Sequence, residues 1–124
     1  MKSRHIAWTV AFILVIVSGV YAHHSFAALF DVSRTINLTG QVTKLEFRSP
    51  HAYIYIKATD SAGASAEWQV ETTTPGMLIR KGITPDTVRP GQKVSVSGNP
   101  TRDGRKIIRL LVITMPDGKK IDVQ

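Results

Sequence analysis

The sequence predicts an all-β fold of five to six short strands with one short helix, and three observations predict it. Turn-forming clusters punctuate the chain at even intervals, at Asp60–Ser65, Arg89-Pro90-Gly91, Asn99–Gly104 and Pro116-Asp117-Gly118. Between them lie short runs rich in Ile, Val, Thr, Tyr and Trp, residue types that suit a pleated, half-buried surface. After Thr74 the two-residue period gives way to a helical one.

The chain opens with a segment expected to leave. Lys2, Arg4 and His5 form a positive stretch, Ile6–Val17 is a 12-residue apolar run, and Val20 and Ala22 are small enough for signal-peptidase cleavage between Ala22 and His23. Met1–Ala22 is therefore read as a signal peptide and the mature protein as periplasmic. A retained anchor is the alternative, but the uncharged stretch Ile6–Ala22 has only 17 residues, at the lower limit for a bilayer span. A second cut, after Ala27 with Ser25 at the −3 position, also satisfies the small-x-small rule.

Removing 22 of the 124 residues leaves 102, enough for one core. They divide into an N-terminal arm, 23–34, and a barrel domain, 35–124. The formal charge of +7 falls to +5 once Lys2 and Arg4 are gone. With 43% hydrophobic and 20% charged residues the chain is a globular one. It has no cysteine, which excludes disulfides, thiolate metal sites, cysteine nucleophiles and a lipidated N-terminal cysteine.

Thr35–Phe47 reads as a long first strand. Ile36, Leu38 and Val42 share one face while Leu45 and Phe47 fall on the other parity, so a β-bulge is expected near Thr43-Lys44, and Gly40 is expected to ease a sharp coil. Ala52–Thr59 places Ala52, Ile54 and Ile56 inward and Tyr53 and Tyr55 outward. Ala66–Thr72 alternates Ala66, Trp68 and Val70 against Glu67, Gln69 and Glu71. Thr74 caps a helix that starts at Pro75, draws its apolar side from Met77-Leu78-Ile79 and ends at Gly82; Thr84-Pro85-Asp86 starts a further single turn. Lys93–Gly98 is a strand with Val94 and Val96 inward. Lys106–Met115 is apolar on both parities except at Arg109, as in a central or strongly coiled strand, and Lys119–Val123 pairs back through Asp117-Gly118. Three strands, a helix and two or three more strands, with a bulged first strand, describe a small OB-fold-like Greek-key barrel. Another small barrel or sandwich of equal strand count is the alternative.

In sequence the chain resembles small secreted bacterial proteins of unassigned function. The resemblance rests on His23-His24-Ser25-Phe26, Gly40-Gln41-Val42, Phe47-Arg48-Ser49-Pro50-His51, Trp68, Pro75–Gly82 and Pro90-Gly91, and it spans the mature chain. Ser49 departs from the Asn usual in those proteins. The resemblance implies an exported OB-like domain and no particular activity.

No residue pattern points to an enzyme. Ser25 beside His23 and His24 lies at a terminus, a poor place to hold a nucleophile, base and orienting group together. Glu67 and Glu71 read as a solvated strand face. The expected function is that of a non-enzymatic binding domain, with two candidate sites. One is a metal site of His23, His24 and His51, with Asp31 as a weaker oxygen ligand. Cleavage after Ala22 would give His23 an α-amino group beside its imidazole, and nitrogen ligands without thiolates suit Cu(II), then Zn(II) or Ni(II). The other is a ligand or partner surface of Tyr53, Tyr55, Arg102, Arg105, Lys106 and Arg109. Export argues against nucleic acid there and favours an anionic ligand or an envelope protein docked on the basic hairpins.

Overall fold

A computed structural model describes residues 27–59 and 63–124. The expected leader Met1–Ala22, the residues His23 to Phe26, and part of the first turn cluster lie outside the described residues. Six strands follow in the expected order: β1 (Ile36–Glu46), β2 (Tyr53–Thr59), β3 (Ser65–Glu71), β4 (Lys93–Pro100), β5 (Ile107–Thr114) and β6 (Lys120–Asp122), with helix α1 (Pro75–Arg80) between β3 and β4. The sheet runs β3-β2-β1-β4-β5-β6, and a parallel pairing of β3 with β5 closes five strands into an OB-like barrel. Every other pairing is antiparallel.

β1 serves both halves of the barrel because it changes face within its length. Val42 pairs with Ile56 and Lys44 with Tyr55, leaving Thr43 as the extra residue of a bulge where the sequence parity changes. Gly40 has a steric role in the pairing of β1 with β2. A β-carbon there would collide with the carbonyl oxygen of Lys57, so the glycine permits close approach of β1 to β2. Gly98 does the same for β4 against the Arg109 carbonyl.

The two-sided apolarity of β5 has a matching cause. Ser97 pairs with Val112 and Gly98 with Leu110, so Leu111 is a second extra residue, and the inward set passes from Ile108 and Leu110 to Ile113. β5 is also central. One edge binds β4, and the other is shared between β3 at Ile107–Arg109 and β6 at Val112–Thr114.

The core gathers Val42, Ile54, Ile56, Val70, Val94, Val96, Ile108 and Ile113 from the strands, with Leu78, Ile83 and Val88 from the β3–β4 connection. Each such side chain contributes roughly 1.5–3 kcal/mol by leaving water. α1 lends Leu78 to the core and obeys its sequence signals. The Thr74 hydroxyl accepts from the Met77 N–H at 3.3 Å, Pro75 occupies the first turn, and Gly82 at φ 83° follows the Lys81 C-cap. With six residues it buries only Leu78; Ile79, expected on the apolar side, is 55% exposed.

The arm is docked. Residues 27–29 are helical, Phe30 bridges to Thr101 and is wholly buried, the Asp31 N–H donates to the Pro100 carbonyl at 2.8 Å, and the Arg102 N–H donates to the Leu29 carbonyl at 3.0 Å.

Candidate functional site

Strand register builds one composite face on the outside of the barrel. Ile54 and Ile56 point inward, so Tyr53, Tyr55 and Lys57 of β2 point out. Across the sheet Tyr53 stands between Glu46 of β1 and Glu71 of β3, and Glu71 stands beside Arg109 of β5. Tyr55 stands between Lys44 and Gln69, and Gln69 beside Ile107. Two parallel rows, each with a half-buried tyrosine, thus cross four strands. Tyr53 and Tyr55, two residues apart on one face, have rings about 7 Å apart at their bases.

Charges on this face are ordered by one another. Glu46 accepts from the Lys44 ammonium at 2.5 Å and has the Arg48 guanidinium at 2.9 Å. The hydrogen bond from Lys44 is the main cause that holds the Glu46 carboxyl below its ordinary range, and the same bond raises Lys44. The Lys44 ammonium also lies 5.4 Å from the centre of the Tyr55 ring, within cation–π range. Burial, followed by the nearby Glu71 carboxylate, pushes the Tyr53 phenol up. At the bulge Thr43 donates to Glu67 at 2.9 Å.

His51 sits at the edge of this face, in the β1–β2 connection. Its Nδ1 is 2.8 Å from Glu71 Oε1. His51 and Arg109 line one pocket of about 170 Å³ together with Thr72, Thr73, Met77 and the last two residues. Tyr55 follows two residues along β2 from Tyr53. Tyr53, Arg109 and His51 are therefore neighbours joined through Glu71, a residue the sequence reading placed on a merely solvated face. Its signal was its β3 parity, but its Arg109 neighbour depends on barrel closure.

The remaining expected residues lie elsewhere. Lys106 covers the half-buried Trp68 ring at 5.1 Å from its centre. Arg105 pairs with Asp103 inside the β4–β5 connection at 2.7 Å. Arg102 donates to the Ala27 carbonyl at 3.1 Å and faces Asp31 at 3.6 Å, so it fastens the arm. Of the six residues expected to form one surface, the strand register joins Tyr53, Tyr55 and Arg109 in the rows, while Arg102, Arg105 and Lys106 each have a local partner of their own. Asp31 accepts from the Ser33 hydroxyl at 2.6 Å and serves the same fastening. His23 and His24 lie outside the described residues, and among the described residues no three His, Asp or Glu side chains gather as metal ligands.

Comparison with solved structures finds the same barrel. The mitochondrial single-stranded DNA-binding protein Rim1 of S. cerevisiae is similar over 66% of this chain and 92% of that one, with 11% identity and a TM-score of 0.51. The protein TiaS, solved in complex with a tRNA and ATP, is similar over 66% of this chain, with 20% identity and a TM-score of 0.48; the likeness spans 18% of that chain. No curated protein matches the sequence. One protein family does: the family of unknown function DUF6152 matches residues 12–108.

Proposed function

The chain belongs to that family, DUF6152, and on this premise we propose that it is an exported, non-enzymatic binding domain that takes an anionic ligand on its tyrosine face. The observation that carries the reading is the pair of registered rows, Glu46–Tyr53–Glu71–Arg109 and Lys44–Tyr55–Gln69–Ile107. They set Tyr55 beside the Lys44 cation of β1, and they end the Tyr53 row, in which the ring stands between Glu46 and Glu71, on the Arg109 cation of β5. The sheet face of an OB barrel is where such folds meet extended ligands. Rim1 is a single-stranded DNA-binding protein, and the shared barrel makes a single strand a necessary control. Export from the cell instead points to an acidic oligosaccharide.

The test is a fluorescence or NMR titration of the purified protein with an oligogalacturonate, and with single-stranded DNA as comparison. Tyr53→Ala and Tyr55→Ala are expected to weaken oligogalacturonate binding by roughly 5- to 150-fold, the worth of one stacking platform. Binding unchanged in both variants would refute the face. Tighter binding of DNA than of the acidic sugar would refute the ligand class.

A second reading, a copper site, has one observation in its favour. Glu71 engages His51 Nδ1, the arrangement that orients a metal-ligating imidazole and leaves Nε2 for the ion. His23, with its new amine, and His24 would supply the remaining nitrogens. Copper titration of the chain cleaved after Ala22 is expected to show His51→Ala and His23→Ala each weakening Cu(II) by about 10-fold or more. If a chain begun at Ala28 binds equally well, there is no such site.

A further inference from the structure

A cleft of about 360 Å³ opens between the α1–β4 connection and the β5–β6 hairpin, and it shares no lining residue with the tyrosine face. Both walls are set by their own hydrogen bonds. On one side the Thr87 hydroxyl accepts from the Thr84 N–H at 2.8 Å and donates to the Gly82 carbonyl at 3.0 Å, while Gln92 accepts from the Arg89 N–H at 2.8 Å. On the other, the Gly118 N–H donates to the Met115 carbonyl at 2.9 Å and the Lys119 N–H to Asp117 Oδ1 at 2.9 Å. The cleft is therefore formed before any ligand arrives.

Met115, Pro116 and Ile121 give the lining an aliphatic part, while Asp86, Arg89, Asp117 and Lys119 bring two charges of each sign. None of these four enters an ion pair among the described residues. All four are exposed, and Lys57, Lys93 and Lys120 on the strands likewise enter no ion pair among the described residues. What sets this cleft apart is that charges of both signs line one concave site. The set is balanced in a chain of net charge +7. A simple anion meets two carboxylates here and a simple cation meets two bases. Only a ligand carrying both charges satisfies both pairs, and the absence of an aromatic ring from the lining favours an aliphatic body over a stacked one.

We propose that this cleft binds a small zwitterion with an aliphatic body, either a free amino acid or a short peptide with charged ends. Leucine and leucyl-leucine are the probes, with leucinamide and isocaproate as analogues of one charge. In a ¹H–¹⁵N NMR titration of the purified protein, a zwitterion is expected to move the Gly82, Thr87 and Gly118 amides saturably and to leave Tyr53 and Tyr55 still. Each singly charged analogue is expected to bind about 10-fold more weakly, as the loss of one hydrogen-bonded charge implies. Asp86→Asn and Lys119→Gln, both on the surface, are expected to weaken the zwitterion by a similar factor. Tighter binding of leucine identifies the free amino acid, and tighter binding of leucyl-leucine the peptide. No saturable shift, equal binding of the analogues, or shifts confined to the tyrosine face would overturn the proposal.

Discussion

Gly98 and Gly76 show how one substitution changes sign with its surroundings. At Gly98 a β-carbon meets the backbone of Arg109, which cannot move without parting β4 from β5. Gly98→Ala is expected to cost roughly 1–3 kcal/mol, as overpacking does. At Gly76, within α1, the nearest atom to a built β-carbon is the Arg80 guanidinium at 4.0 Å. Gly76→Ala is expected to stabilise by roughly 0.5–1 kcal/mol through helix propensity alone. Urea unfolding of both variants checks the pair. Phe30 is the third case: it is wholly buried in a segment that precedes every strand. Phe30→Ala is expected to cost about 3–5 kcal/mol, the loss of a core aromatic, where a loose arm would lose nothing. The same urea series measures it.

Among the elements, the arm carries a pH dependence of defined sign. The hydrogen bond from the Ser33 hydroxyl is the main cause holding the Asp31 carboxyl below its ordinary value of 3.8; burial opposes it, and the Ser33 N–H and then the Arg102 charge add smaller effects in the lowering direction. A group lowered in the folded state contributes fully above its unfolded value and loses that contribution as pH falls through its folded one. The arm is therefore expected to stay fastened down to pH 3.8 and to loosen at more acidic pH. Hydrogen exchange at the Arg102 amide, which donates to Leu29, reads this directly. Asp31→Asn should remove the pH step.

The elements also show what a sequence discloses. The bulge in β1 was legible at Thr43-Lys44 because a bulge inverts side-chain parity, and parity is written in the order of apolar residues. The start and stop of α1 were legible because Thr74, Pro75 and Gly82 act on their own backbone neighbours. The exposure of Ile79 was not, since it depends on how much of a six-residue helix the barrel can cover. The outward pairing of Tyr53 and Tyr55 followed from a period of two. That Glu71 would join Tyr53, His51 and Arg109 did not, because its neighbours come from three different segments, and the Arg109 one only through the β3–β5 closure. The cleft at Asp86 and Lys119 was hidden for the same reason: its walls come from two connections that touch only in the finished barrel.

For the whole molecule, the parallel pairing of Gln69–Glu71 with Ile107–Arg109 orders events in time. A chain emerging from its amino end has β1, β2 and β3 free to pair as local hairpins. β3 keeps an open edge until β5 is available, and β4, once joined to β1, has a second one. Open edges are adhesive, so the interval before residue 109 emerges is when chains can join one another instead of closing. A barrel fastened by a late strand is thus assembled all at once or left sticky, and passage across a membrane in extended form would postpone that choice until the whole chain has arrived.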